Sequence, residues 1–158
     1  MKKFIYNINY TKGFTLIELV LTMSLFLLLA SSGIGAYFQY YNNSLNNMDI
    51  KNTLTFIKNT QFKALKNATS SDYGVHFDVS NSTITTFKDT YTQESPENVI
   101  LQLVKLDILN FNLSPDIGLT NEILFKSKNG KTDNFGGFII GKSGFAHTFT
   151  INSQGVVN

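Results

Sequence analysis

The sequence predicts an α+β fold in which a long N-terminal helix precedes a C-terminal antiparallel β-sheet domain. Residues 14–38 form an almost uninterrupted apolar run, which is long enough to cross a bilayer at roughly 20 residues per span. A helical period of apolar residues continues to residue 68. From Asp72 onward apolar and polar residues alternate between turn sequences, which is the pattern of β-strands.

The apolar run contains a single charged residue, Glu18. A carboxylate inside a membrane segment costs about 2.5–3.5 kcal/mol by insertion scales, so we expect a cation near it. Lys2, Lys3 and Lys12 precede the run, and no lysine follows it until Lys51. The positive-inside rule therefore predicts a cytoplasmic N-terminus and an external C-terminal domain.

Cleavage between Gly13 and Phe14 would supply the cation, because it creates an α-amino group one helical turn from Glu18. The segment at positions 12–19, Lys-Gly-Phe-Thr-Leu-Ile-Glu-Leu, resembles the processing motif of type IV prepilins and pseudopilins. This resemblance implies that a membrane peptidase cuts after Gly13 and that Phe14 becomes N-methylated. It also implies that Glu18 neutralises the new amine, largely on a neighbouring subunit, during filament assembly.

Two other interpretations of the N-terminus are a secretory signal peptide and a plain single-pass anchor. A signal peptide would begin with the basic residues Lys2 and Lys3 and be cut near small residues such as Ala30 or Ser32. The predicted topology agrees with all three interpretations. We favour the prepilin interpretation, because only this one gives Glu18 a purpose.

The pilin-like division of the chain has four parts. We expect a leader peptide at 1–13, a transmembrane and assembly helix at 14–38, an amphipathic continuation at 39–68 and an antiparallel sheet domain at 70–158. The predicted apolar stripe of the amphipathic part is Ile50, Leu54, Ile57, Ala64, Leu65 and Ala68. Four lysines lie off this stripe: Lys51, Lys58, Lys63 and Lys66.

Gly33 and Gly35 lie where the predicted helix leaves the hydrocarbon. They could let the helix unwind locally in a filament, since glycine weakens a helix by about 1 kcal/mol relative to alanine. They could equally allow close helix packing in the membrane. The sequence leaves both interpretations open.

The sheet domain is predicted from alternation and turn residues. Strands are expected at 73–79, 84–87, 123–125, 137–141, 145–151 and, as a short final strand, 156–157. The segment 99–113 fits strands or one short helix, and its β-branched residues favour strands. We expect these strands to form one antiparallel sheet.

The order of elements at 70–158 gives a second resemblance. A glycine-bounded strand, a turn, a threonine-rich strand, a turn with glycine and a short final strand are similar to the GspH/FimT-like minor pseudopilins. That similarity implies a low-abundance filament subunit. The N-terminal resemblance implies as partners other pilin or pseudopilin subunits, prepilin peptidase and the assembly-platform membrane protein. It implies a location in the cytoplasmic membrane and then in an extracytoplasmic filament, and it leaves open whether this is a type IV pilus, a type II secretion pseudopilus or a competence filament.

No catalytic, metal or cofactor site is predicted, so we do not expect an enzyme. His76 and His147 are the only histidines, and each is embedded in an alternating strand. The acidic pairs Asp72 with Asp78 and Glu94 with Glu97 flank turns, where carboxylates serve as caps. The chain has no cysteine and therefore neither a disulfide nor a thiolate.

A DNA- or polymer-binding filament subunit of the competence type is the alternative function. The four helix lysines could face an anionic strand, although a solvated helix side explains them more simply. Removal of the three leader lysines lowers the formal charge from +2 to −1. A near-neutral mature chain gives no electrostatic case for nucleic acid, so this partner is not favoured.

Overall fold

The computed structural model describes residues 13–67, 70–114 and 121–158. In the described residues the elements are α1 (Leu16–Lys66), β1 (Tyr73–Asp78), β2 (Thr83–Lys88), β3 (Val99–Gln102), β4 (Asp107–Ser114), β5 (Glu122–Phe125), β6 (Phe135–Lys142) and β7 (Phe145–Ile151). The chain divides into two compact units between Tyr41 and Asn42, and α1 contributes to both. Residues 1–12 of the predicted leader lie outside the described residues, as does Ala68.

Helix α1 confirms the predicted long helix, with ends two residues inside the expected limits of 14 and 68. Lys63 and Lys66 lie in its last turn, where cations interact favourably with the helix dipole. Gly33 and Gly35 lie within continuous helix, and each has open space where a β-carbon would project.

The buried face of the second half of α1 is more polar than the sequence predicts. Its buried residues are Asp49, Thr53, Ile57, Thr60 and Ala64. Leu65, which was placed on the apolar stripe, is 43% exposed, so this part of the prediction was wrong. Ile50 and Leu54 pack against the core but are only partly buried. The buried stripe is therefore rotated from the predicted one, because the sheets pack against positions that carry small and hydrogen-bonding side chains.

The first sheet has four antiparallel strands in the order β3-β2-β1-β5. Asp78 closes the β1–β2 turn by accepting hydrogen bonds from the backbone N–H groups of Ser80 and Asn81 at 2.9 and 3.1 Å. Ser82 takes a positive φ of 52° in the same turn. The predicted hairpin and its turn at 81–82 are thus confirmed, but the first strand ends at Asp78, so Val79, which was expected in the strand, lies in the turn.

The second sheet has three antiparallel strands in the order β4-β6-β7. Its β4–β6 register shifts between Ile108 and Asn110. Gly136 has a φ of 147°, and a β-carbon there would collide with the carbonyl oxygen of Asn112 on β4. Glycine at this position therefore allows the close approach of two backbones.

Four phenylalanines join the two sheets in the core. Phe77 of β1 lies 4.9 Å from both Phe111 of β4 and Phe138 of β6, measured between ring centroids. Phe138 stacks on Phe149 of β7 at 4.8 Å. Ile57 of α1 is fully buried in the same cluster. The helix and both sheets consequently share one hydrophobic core in the unit that begins at Asn42.

Two strand predictions need correction. The expected single sheet is two sheets, because β4 pairs with β6 rather than with its neighbour β3. The expected final strand at 156–157 is reduced to one bridge between Ile151 and Val157. Two backbone bonds between Thr150 and Asn158, each 2.9 Å, lie beside it. The segment 99–113 forms strands β3 and β4, which confirms the favoured interpretation.

Candidate processing and assembly site

Thr15 and Glu18 form a capping box at the start of α1. Thr15 Oγ1 accepts a hydrogen bond from the Glu18 backbone N–H at 3.3 Å. Glu18 Oε2 accepts bonds from the backbone N–H and the hydroxyl of Thr15, both at 3.4 Å. Such reciprocal bonds satisfy donors that the first helical turn leaves free. All three bonds are longer than the common value of about 2.9–3.0 Å, and none of them brings a positive charge to the carboxylate.

The side chains around this box are apolar and exposed. Phe14 is 82% exposed, Leu16 is 83% exposed, and every other residue from 13 to 44 is also exposed. By length and composition α1 can cross a membrane. A continuous apolar surface of this kind is an aggregation hazard in water, so it requires lipid or other protein chains as its cover.

The predicted site residues lie close together around the N-terminus of α1. Gly13, Phe14 and Thr15 precede the first helical residue, Leu16. Gly13 has no atom within 4 Å of the position that a β-carbon would occupy. The Gly13–Phe14 bond therefore lies just before the helix, with Glu18 in its first turn.

Asp49 is a buried acid that is not among the residues predicted from the sequence. Its side chain is 1% exposed and accepts hydrogen bonds from three successive backbone N–H groups in the β3–β4 loop. The donors are Val104 at 3.1 and 3.2 Å, Lys105 at 2.7 Å and Leu106 at 3.0 Å. Asp49 thus fixes the loop between the two sheets onto α1.

One signal for Asp49 was present in the sequence. It is the first charged residue after Glu18, and it lies four positions before Thr53, which is also buried. A carboxylate on the buried face of an amphipathic helix requires partners. The sequence does not reveal that these partners are backbone groups more than fifty residues away.

His76 belongs to a small polar and aromatic cluster on the outer face of the first sheet. Its Nδ1 lies 3.0 Å from Glu122 Oε1 of the adjacent strand β5. Its ring stacks on Tyr91 with centroids 3.8 Å apart, and Tyr91 also meets Phe87 edge-on at 5.7 Å. Phe87 is only 3% exposed. This cluster covers the outer face of the sheet with the β2–β3 loop, which supports the interpretation of His76 as a sheet-face residue.

The remaining acidic candidates act in turns and loops. Asn81 donates a side-chain hydrogen bond to Asp78 at 2.6 Å, and this bond, helped by backbone donors, lowers the pKa of Asp78 below its usual value. Asp72 Oδ1 accepts the backbone N–H of Ser127 at 2.7 Å. Within residues 13–67, 70–114 and 121–158, no group of three or more acidic, histidine or cysteine side chains is placed to hold a metal ion.

A comparison with protein families identifies the N-terminus. The family described as "Prokaryotic N-terminal methylation motif" matches residues 8–34. Neither the curated proteins nor the solved structures gave a significant match to this chain. The matched segment contains Gly13, Phe14 and Glu18. The chain therefore carries, at its N-terminus, a methylation motif of the type IV prepilin kind, which fits a pilin or pseudopilin subunit.

Proposed function

We propose that the chain is a structural subunit of a type IV pilus or of a type II secretion-like pseudopilus. In this proposal prepilin peptidase cuts between Gly13 and Phe14, Phe14 is N-methylated, and α1 packs into the filament. The observation that carries the proposal is the methylation motif at residues 8–34. It coincides with a helix start that holds one carboxylate in an otherwise apolar, exposed segment.

Charge pairing gives Glu18 its role in assembly. The capping box at Thr15 supplies hydrogen bonds to Glu18 but no cation. A charge without a partner in a filament core of packed helices is heavily penalised, whereas a nearby amine compensates it. The methylated amine of Phe14 supplies that partner, and the requirement to meet it fixes the axial register of neighbouring subunits.

The apolar half of α1 has two successive environments in this proposal. Before assembly it spans the cytoplasmic membrane, with the leader in the cytoplasm and the sheet domain outside, as the distribution of lysines favours. After assembly the other subunits replace the lipid. The uniform exposure of residues 13–44 in the single chain supports this need for a cover.

We assign the chain to the minor, GspH/FimT-like subunits rather than to the major ones. This assignment is supported by the order of the last elements: a strand that contains Gly136, Gly137 and Gly141, the threonine-containing β7, and a turn with Gly155. Minor subunits occur in low copy number near the filament tip. The subunit ratio in purified filaments tests this assignment.

The test of the assembly role separates charge from helix capping. Glu18→Gln removes the charge and keeps an N-cap partner, since glutamine also serves in a capping box. Thr15→Ala removes the cap and keeps the charge. Thr22→Ala is the matched control, because among the described residues the Thr22 hydroxyl donates its hydrogen bond to its own helix, to the Leu19 carbonyl at 2.9 Å.

The variants are expressed with prepilin peptidase and the assembly system, and incorporation is measured as the subunit fraction in sheared filaments. We expect Glu18→Gln to be cut normally but to be lost from filaments, while Thr22→Ala incorporates normally. Thr15→Ala should retain much of its incorporation. Normal incorporation of Glu18→Gln would refute the charge-pairing role.

A further inference from the structure

A polar cleft opens between the end of α1 and the first sheet. Its volume is about 370 Å³, within the range of about 300–1,000 Å³ that is usual for small-molecule sites. Residues from α1, β1, β2 and the β2–β3 loop contribute to it. Its walls are formed by Lys63, Tyr73, Thr86, Phe87, Lys88 and Glu97.

The cleft exists because strand β2 departs from the pattern of a core strand. Ile84 and Thr86 pair with Phe77 and Val75 of β1, both of which are fully buried, and Lys88 follows at the next position of the same face. The core-facing side of β2 therefore changes from apolar to polar along its length. Such departures from apolar patterning are expected at functional sites.

The cleft is rich in donors suited to an oxyanion. Lys63 and Lys88 bring ammonium groups, and Tyr73 and Thr86 bring hydroxyl groups. Lys63 forms no ion pair with any residue in the described part of the chain. Its position in the last turn of α1 also suits the helix dipole, but that role requires no cleft.

Glu97 shows how an acidic group can enter this cleft. Its Oε2 lies 4.0 Å from Lys88 Nζ, and its side chain is 62% exposed while that of Lys88 is 34% exposed. The pair is thus long and solvated, so it contributes little to stability. Glu97 can leave Lys88 at small cost, which makes its carboxylate an internal competitor for an external anion.

We propose that this cleft is a binding site for a small oxyanionic ligand of monosaccharide size, carrying a phosphate or a carboxylate. Lys63 and Lys88 bind the anionic group from the helix side and the sheet side, and the hydroxyls of Tyr73 and Thr86 donate hydrogen bonds. Glu97 occupies Lys88 in the absence of ligand. The proposal is independent of processing and filament assembly, because every residue involved lies in the unit that begins at Asn42.

An NMR titration of backbone amides in the full chain, held in detergent micelles, tests this site. The probes are inorganic phosphate, a hexose phosphate and glucuronate, with glucose as the neutral comparison. We expect saturable shifts at Thr86 and Lys88 with the anions and none with glucose. Tighter binding of the hexose phosphate than of glucuronate would indicate a phosphate ligand, and the reverse order would indicate a carboxylate ligand.

Three variants and one control complete the test. Lys63→Gln and Lys88→Gln should each weaken binding by about threefold to fivefold, which corresponds to the loss of one solvent-exposed ion pair. Glu97→Gln should tighten binding, because it removes the competitor. Lys58→Gln should have no effect, since Lys58 is an exposed lysine of the same helix outside the cleft.

Several results would overturn the proposal. These are shifts that grow linearly without saturation, shifts of equal size with glucose, or an equal loss in the Lys58→Gln control. Unchanged or weaker binding by Glu97→Gln would also contradict it, because a merely structural Lys88–Glu97 pair gives no gain when it is removed.

Discussion

Replacement of Asp49 by alanine should destabilise the sheet domain more than any other loss of a single carboxylate. The carboxylate is 1% exposed and accepts bonds from three successive backbone N–H groups, of Val104, Lys105 and Leu106. Removing it leaves these donors without their acceptor. Asp49→Asn should be milder, because an amide oxygen can still accept bonds at the Oδ2 position.

The expected loss is about 3 kcal/mol of unfolding free energy. An unsatisfied buried donor costs about 1–3 kcal/mol. Leu106 is 1% exposed, so its N–H carries most of that penalty, whereas Val104 is 59% exposed and its N–H can regain water. The variant also avoids the cost of burying a charge, and this gain offsets part of the penalty for the three donors, so the net loss stays near the low end of the range for three donors. Asp49→Asn should lose about half as much.

Urea unfolding of the full chain in detergent measures this difference. Near-ultraviolet circular dichroism of tyrosine and phenylalanine reports the packing of the sheet domain, while the apolar half of the helix stays in the micelle. With a urea dependence of about 2 kcal/mol per molar, Asp49→Ala should lower the midpoint by about 1.5 M. Asp133→Ala is the control, because the Asp133 side chain is 76% exposed and its one ion pair in the described part of the chain is with Lys126.

A small effect would refute this reasoning. If Asp49→Ala cost less than about 0.5 kcal/mol, which is typical of an exposed substitution, the three hydrogen bonds would not hold the β3–β4 loop. A loss of equal size in Asp133→Ala would contradict it as well. In that case an exposed and a buried carboxylate would contribute equally to the unfolding free energy.

Three further predictions concern the same domain. Thr53→Val should leave the unfolding free energy unchanged or raise it, since the buried Thr53 hydroxyl has no hydrogen-bond partner in the described residues; urea unfolding measures this. Gly155→Ala should cost about 1–3 kcal/mol in the same assay, because Gly155 has a φ of 78° and a β-carbon would collide with the Gly130 carbonyl. Asn81→Ala should raise the pKa of Asp78 towards 3.8 in an NMR titration of its carboxyl group. The lowered pKa of Asp78 stabilises the fold when the pH is above the pKa of this group in the unfolded chain, and the contribution disappears as the pH falls through its pKa in the folded chain. Asn81→Ala should therefore lower the unfolding free energy at neutral pH and lower it less in acid.

Local patterns explain how much of the fold could be predicted. The long helix and the β1–β2 hairpin follow from period and turn residues that are close in sequence, and both are confirmed. The division into two sheets was missed, because alternation within β4 does not determine whether β3 or β6 becomes its partner. The rotated face of α1 was missed for a related reason: threonine and aspartate count as polar until their buried partners are known.

The same contrast applies to the candidate sites. Gly13, Phe14 and Glu18 lie within six consecutive residues, so a sequence motif is enough to propose them as site residues without the fold. The Asp49 contacts and the lysine-lined cleft depend on residues that only the folded chain brings together. Lys63 and Glu97, for example, belong to a helix and a loop that are separated by two strands.

The N-terminal mass of the chain recovered from cell envelopes tests the central claim most directly. When the chain is expressed with prepilin peptidase, the account predicts a polypeptide that begins at Phe14 and carries one additional methyl group on its amine. A chain that keeps residues 1–13, or that begins beyond Ser32, would contradict the account.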